Sequence, residues 1–363
     1  MLKWHIRKAG EKMKVIMPDY CKNFKCIADK CRDNCCIGWE IDIDAQTAGY
    51  YKTVGGSFGE RLKNNISDGE VSCFRLCGER CPFLNKNNLC DIIINLGEDR
   101  LCQICRDHPR YFEWYSDRKE GGIGLCCEEA ARIIVTGEEK FSTYEIPCDE
   151  EGCDDYDTDL YNMLIFARNQ IITTLEREDL TLKNKIFSII NYTFTLQHMI
   201  DNYNYIKTPI IFQEFDKDTF ADVKGFLESF ASLEPIDTNW EEYLRKLIAS
   251  SDRLSENLSS ETDKYDTYLK NIAIYFIWRY FLKGVYDEEI LSKVLLMSVS
   301  IAMIKLMYLE AEISEEMPDA EKCSMLAKNY SKEIEYSEEN LEKIYDMTYD
   351  NPAFCAENIL SML

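Results

Sequence analysis

Fifteen of the seventeen cysteines in this 363-residue chain fall between Cys21 and Cys153; only Cys323 and Cys355 lie beyond. That density constrains the fold, because free thiols packed so closely are open to oxidation unless disulfides or a metal occupy them. The cysteine total is odd, and Met1–Tyr20 carries scattered Lys and Arg with no apolar run of signal-peptide length. Both features argue against a secreted disulfide scaffold and for a reduced, cytoplasmic, metal-binding protein.

The thiols come in groups. Cys26-x4-Cys31-x3-Cys35-Cys36 is followed by Cys81-Pro82-Phe83-Leu84-x5-Cys90, then Cys102-x2-Cys105 running into Arg106-Asp107-His108-Pro109-Arg110, then Cys126-Cys127. Soft anionic thiolates suit zinc or iron, and close pairs on a turn fix part of a site that distant cysteines complete. Adjacent cysteines, long separations and only three histidines (His5, His108, His198) favour an iron–sulfur cluster. Zinc stays open as the alternative. Cys323 and Cys355, on helical stretches, read as small buried hydrophobes. Cys148 and Cys153 read as exposed free thiols.

Charge divides the chain as sharply as sulfur does. Residues up to 153 hold 22 basic and 26 acidic side chains, leaving 20 and 39 for the remainder and a formal net charge of −23 overall. A field of that sign repels polyanions and excludes a nucleic-acid binder that works by neutralising phosphates; it draws in cationic partners. The acidic stretch around Pro147–Asp155 marks the change. Ahead of it, short apolar runs alternate with turn signals, with helices expected at Ala45–Thr53 and Glu128–Gly137 and short strands near Glu40–Ile43 and Gly122–Leu125. Behind it, apolar residues recur at helical spacing, with long helices expected at Tyr268–Val285 and Glu289–Glu310 and a capping signal at Ser337-Glu338-Glu339-Asn340. The apolar run Val294–Met307, interrupted by Lys305, is shorter than the roughly 20 residues a membrane span needs and reads as a core helix. The expected architecture is mainly α. A loop-rich, metal-stapled cysteine-cluster module over 13–147 precedes an acidic α-helical domain of five to eight helices over 155–363.

The ordered string Phe24-Lys25-Cys26, Cys31-Arg32-Asp33-Asn34-Cys35-Cys36-Ile37-Gly38-Trp39, Cys81-Pro82-Phe83-Leu84, Leu89-Cys90, Leu96-Gly97-Glu98, Cys105-Arg106-Asp107-His108-Pro109-Arg110 and Cys127-Glu128-Glu129-Ala130-Ala131-Arg132 resembles the flagellin lysine-N-methylase family. That family shares its cysteine module with a broader group of zinc- or iron-chelating proteins. The resemblance is specific over Val15–Thr136 and diffuse beyond. It implies eight metal ligands: Cys26, Cys31, Cys35, Cys36, Cys81, Cys90, Cys105 and Cys127. Cys21, Cys73, Cys77, Cys102 and Cys126 are then extras. The sequence departs from the pattern at His108, where an aromatic is usual, and at Glu128, where proline is common.

The implied activity is transfer of a methyl group from S-adenosylmethionine to a lysine ε-amine on flagellin by a protein carrying an iron–sulfur cluster of the 4Fe-4S kind. No C-x3-C-x2-C radical signature is present, since Gly38 follows Cys31 and Cys35 at the third position. Gly121-Gly122-Ile123-Gly124 lacks the G-x-G-x-x-G spacing of a dinucleotide fold. Catalytic and cofactor-binding residues are therefore left unassigned. Tyr111, Phe112, Trp114 and Tyr115 either wall a sulfonium pocket or pack the core, with the core reading favoured. The alternative function is a non-enzymatic metal-bearing protein, iron–sulfur or zinc, that binds a partner or senses redox state.

Overall fold

A computed structural model describes residues 13–363 apart from 39, 68, 70, 151, 153, 154, 217–220, 259–263 and 315–317. Cys153, Trp39, His5 and most of Met1–Tyr20 therefore lie outside the described residues. The chain opens with strand β1 (Met13–Pro18), followed by β2 (Asp42–Ile43), helices α1 (Ala45–Thr53) and α2 (Gly56–Asn64), β3 (Ser72–Cys73), α3 (Asp91–Leu96) and α4 (Gln103–Asp107). Next come β4 (Arg110–Trp114), β5 (Arg118–Ile123), α5 (Glu128–Val135) and β6 (Thr143–Cys148). The rest is helical: α6 (Thr158–Leu175), α7 (Leu182–Asp201), α8 (Val223–Ser229), α9 (Trp240–Ala249), α10 (Ser251–Leu258) and α11 (Asp266–Tyr280). It ends with α12 (Gly284–Asp287), α13 (Leu291–Ile313), α14 (Ala320–Glu335), α15 (Glu338–Asp350) and α16 (Ala356–Met362).

The mainly helical class is as expected, but eleven helices follow the acidic connector among the described residues, where five to eight were expected. One reason is that the run Tyr268–Val285 does not form a single helix. α11 stops at Tyr280, and a 3-10 turn leads into Gly284, where a Cβ would sit 2.5 Å from the Ile290 side chain. The chain bends there because Gly284 admits Ile290 so closely. Ser337 caps α15 as its sequence suggests, accepting from the Asn340 amide at 3.1 Å.

A mixed four-stranded sheet, in the order β4-β5-β1-β6, was missed by pattern reading except at β5. β1 pairs parallel with β5 and antiparallel with β6, and β4 and β5 form a hairpin. Gly121 and Gly122 are fixed in β5 by packing: a Cβ at Gly121 would meet the Phe112 ring at 2.8 Å, and one at Gly122 the Tyr111 hydroxyl at 2.4 Å. The hairpin lies against α6 and α11. Glu120 forms a two-pronged buried ion pair with Arg168 (2.5 and 2.7 Å), Arg168 stacks on Trp278, and the Trp278 indole donates to the Gly121 carbonyl.

Two apolar cores result. The larger joins Met17, Cys21, the β5 end and α5 to the whole helical region. At its centre α13 is apolar on every side and enclosed; it is the one helix among the described residues long and apolar enough to cross a bilayer by length and composition. The smaller core lies between Ile41 and Cys102 and is built on the edge-to-face ring contacts Phe74–Phe83 (5.1 Å) and Phe58–Phe83 (6.0 Å) and the stacked pair Tyr51–Phe74. A core this small is marginal without a further staple. The loop between Cys26 and Cys36 is latched to the helical body by charge. Arg32 pairs with Glu128 and Glu321, and Asp33 with Lys328 and Lys332.

Candidate metal centre

The cysteine positions follow from local turns. Cys26 lies between two 3-10 turns, exposed, with the Ala28 amide donating to its sulfur at 3.4 Å. Asn34 holds the next turn: its side-chain oxygen accepts from the Cys36 amide at 3.0 Å, so Cys35 and Cys36 project side by side. The Cys36 carbonyl then accepts from the Cys81 amide at 2.8 Å, which carries the Cys81-Pro82-Phe83-Leu84 turn up to the same place. Cys90, Cys102 and Cys127 each stand at the residue before a helix, α3, α4 and α5 respectively. Free backbone amides open from such positions toward the sulfur.

Six thiols from four chain segments each lie within electrostatic reach of at least one other. Cys35 and Cys36 share a hydrogen bond, as do Cys102 and Cys105. Cys36 lies within electrostatic reach of Cys81 and Cys90, and Cys105 within reach of Cys36 and Cys81. In each bonded pair one sulfur ionises more easily because its neighbour donates to it, while the donor, Cys36 or Cys105, is driven far up. Burial pushes Cys81 up to about 11, against the opposing pull of the Phe83 amide. Burial also raises Cys90, while the amides of Ile93 and Ile92 work in the other direction.

A second group lies alongside. Burial pushes Cys31 up to about 12, helped by the Glu128 carboxylate, which its thiol approaches at 3.6 Å. Burial raises Cys127 likewise to about 12, with Cys126 and Cys31 adding to the shift. The Tyr336 hydroxyl shares a hydrogen bond with Cys126 and lies within electrostatic reach of Cys35 and Cys127, one from each group.

Of the eight ligands the resemblance implies, Cys35, Cys36, Cys81, Cys90 and Cys105 are linked by electrostatic reach in one group and Cys31 and Cys127 in the other; Cys26 joins neither through the contacts of the described residues. Cys102 and Cys126, set aside as extras, lie inside the groups. Their signals, the C-x2-C of 102–105 and the pair at 126–127, were visible in the sequence. Among the remaining cysteines, Cys73 bonds Glu40 and Ser67 at 2.8 Å each, and Cys77 is exposed. Cys323 is buried as expected. Cys355 is not: it is exposed and caps α16, accepting from the Asn358 amide at 3.4 Å.

Among the described residues, no three His, Cys, Asp or Glu side chains are set to hold one ion between them. A tetrahedral zinc with Zn–S bonds of about 2.3 Å would need its sulfurs drawn together around one point. Donor chemistry is a separate matter. An all-sulfur group converging from four segments, with helix-start amides facing some of the sulfurs, has the donors a thiophilic centre uses. The protons held between Cys35 and Cys36 and between Cys102 and Cys105 are those a metal would displace.

The other sequence candidates fall around the sheet. Tyr115 is buried and stacks with Tyr161 and Tyr286, whereas Trp114 is partly exposed and donates to Glu150. Tyr111 packs on Arg279 (4.5 Å), which pairs with Glu335 at 2.9 Å; Glu335 also accepts from Tyr275, Tyr280 and Ser331. The Tyr20 and Tyr111 hydroxyls are buried beside this network with no hydrogen-bond partner among the described residues. His108 follows the last turn of α4, and burial pushes its imidazole down to about 4, so it is neutral at physiological pH.

The chain is 30% identical over 130 residues to lysine-N-methylases of Salmonella choleraesuis strain SC-B67 and Salmonella typhimurium strain LT2, a match covering 33% of this chain and 32% of each relative. It is 29% identical over 130 residues to the flagellar biosynthetic protein FliU of Salmonella muenchen, covering 76% of that protein. The match thus spans about a third of the length of the two lysine-N-methylases. No solved structure matches the chain. The family model described as the FliB lysine N-methylase C-terminal domain matches residues 168–362, more than half of the chain, and by that match the chain belongs to the FliB lysine N-methylase family.

Proposed function

We propose that this protein methylates lysine side chains on flagellin with S-adenosylmethionine as methyl donor, and that its N-terminal thiols hold an iron–sulfur cluster. The observation that carries the reading is the family match over α6–α16, together with relatives named lysine-N-methylase. The flagellin target draws on the name of the flagellar relative. In the reaction the lone pair of a neutral lysine amine attacks the sulfonium methyl carbon. The carbon–sulfur bond breaks, its electrons return to sulfur as a neutral thioether, and the amine gives up one proton to solvent. The protein must orient the pair and favour the neutral amine by excluding water.

In this reading the cluster is a fold staple held by Cys36, Cys81, Cys90 and Cys105 with Cys35 or Cys102 in reserve, and the second group, Cys31 and Cys127, is a further candidate. The small core between Ile41 and Cys102 gains most from such a staple. A module over 13–147, a helical domain over 155–363 and a cytoplasmic location belong to the same proposal.

The test is incubation of purified protein with unmodified flagellin and methyl-labelled S-adenosylmethionine. Label on lysine supports the reading. Absence of label, with no binding of S-adenosylmethionine by calorimetry, overturns it in favour of a metal-bearing interaction protein. An anaerobic preparation without absorbance near 400 nm points to zinc in place of iron.

A further inference from the structure

We infer that Lys328 and Lys332 of α14 are positioning residues for the thiol loop over 31–36, so that the C-terminal helices take part in holding the metal centre. Asp33 is the joint of that loop. Its backbone carbonyl accepts from the Cys31 thiol. One of its carboxylate oxygens accepts from the Asn34 amide at 2.9 Å, and the Asn34 side chain accepts from the Cys36 amide at 3.0 Å, in the turn that sets Cys35 beside Cys36. The other carboxylate oxygen takes both lysines, Lys328 and, at 3.2 Å, Lys332. One residue thus connects a thiol of each group to a helix 295 positions further along the chain.

Burial gives the contact its weight. The Lys328 side chain is only 4% exposed, and among the described residues Asp33 is the one carboxylate it meets. An ammonium out of water is costly unless paired, so releasing the loop would strand a buried charge. Asp33 is therefore held on α14 with or without metal. Lys332 is shared with Asp237 at 3.4 Å, which ties the joint to the turn ahead of α9. On the other side α5 grips the neighbouring residue. Glu128, which follows Cys127, accepts from the Arg32 amide at 2.8 Å and from its guanidinium at 3.0 Å, and Arg32 also reaches Glu321 of α14 at 2.9 Å. Since α5 and α14 pack on each other, they fix the loop and Cys127 in one frame.

A salt bridge that served the fold alone could fasten any part of the loop. This one ends on the residue whose own atoms bond Cys31 and the Asn34 turn. Thiols placed before the metal arrives lose less conformational freedom on coordination, so the latch raises affinity. The inference rests on the thiols being metal ligands, as the proposed function has them, and needs no methyl transfer.

The experiment titrates metal-free, full-length protein anaerobically with cobalt(II), read by the absorbance of its thiolate complexes, and follows peptide-resolved amide exchange over 32–37 before metal is added. Lys328→Met with Lys332→Met removes the latch and leaves the partly exposed Asp33 to hydrate, so no buried charge is left unpaired. The wild type protects the Asn34 and Cys36 amides without metal; the double variant exchanges them faster and binds cobalt about tenfold more weakly. Lys332→Met, which keeps the Lys328 contact, moves both readings the same way by a smaller factor, and Lys332→Arg leaves them as in the wild type. If the double variant does not fold, the two Lys332 variants decide. No cobalt binding by the wild type, equal affinity in the folded Met variants, or unprotected amides in the wild type overturns the proposal. Weaker cobalt binding in the variants with no label on lysine from the wild type keeps the positioning role and removes the methyltransferase reading. Label on lysine with equal cobalt affinities does the reverse.

Discussion

At the scale of single residues, the thiols divide by what surrounds them. Cys36 and Cys105 each bond one neighbouring thiol and feel two further sulfurs electrostatically, while Cys77 and Cys355 stand exposed. Replacing Cys36 or Cys105 by serine is expected to remove more than half of the bound metal from anaerobically purified protein, and serine at Cys77 or Cys355 to leave it unchanged; elemental analysis of the four variants decides. His108 makes a separate prediction. Its native imidazole protonates only near pH 4, whereas an unfolded histidine does so near 6.5. Between those values the unfolded chain binds the extra proton, so His108 lowers stability as pH falls from about 6.5 to 4 and contributes no pH dependence above that window. Thermal midpoints of wild type and His108→Gln followed across the window should converge as the pH drops. Residue by residue, the spacing of the thiols was legible, including the C-x2-C at 102–105. Which thiols meet was not, because that depends on the Asn34 turn and the Cys36–Cys81 backbone bond joining segments far apart in sequence.

At the scale of elements, helices that carry their own pattern were legible. Ala45–Thr53 is α1 as expected, and the long apolar run is α13. Strands β1, β4 and β6 were not, because they are short and their burial does not alternate: β4 is half-buried along most of its length and β6 mostly exposed. Their pairing is a tertiary fact, fixed by what covers the sheet. The Glu120–Arg168 pair is the main polar contact in that cover. Arg168→Ala leaves the buried Glu120 carboxylate with only the longer 3.8 Å contact of Arg118 and is expected to cost about 3–5 kcal/mol in denaturant unfolding. The double variant Glu120→Leu with Arg168→Met should recover most of that loss, since the desolvated charge is gone. A single-variant cost near zero would show that the pair is solvated in solution.

At the scale of the whole molecule, the apolar cores group β1, β5 and α5 with the helices and leave a small core between Ile41 and Cys102. That small core contains Cys81 and Cys102, and the cysteine loop ahead of it is joined to the helical body by charge, Asp33 pairing with Lys328 and Lys332. The charge asymmetry read from the sequence points to a cationic partner for the acidic helical region. If an inorganic centre holds the small core, removing it should melt that region first, seen as faster amide exchange over 41–102 than over α11 and α13. The most direct measurement is iron and acid-labile sulfide per chain in anaerobically purified protein, repeated on the Cys36→Ser, Cys105→Ser double variant. The account predicts about four of each in the wild type and a large loss in the variant. A wild-type chain that folds fully with every thiol free to titrate and no metal bound would contradict it.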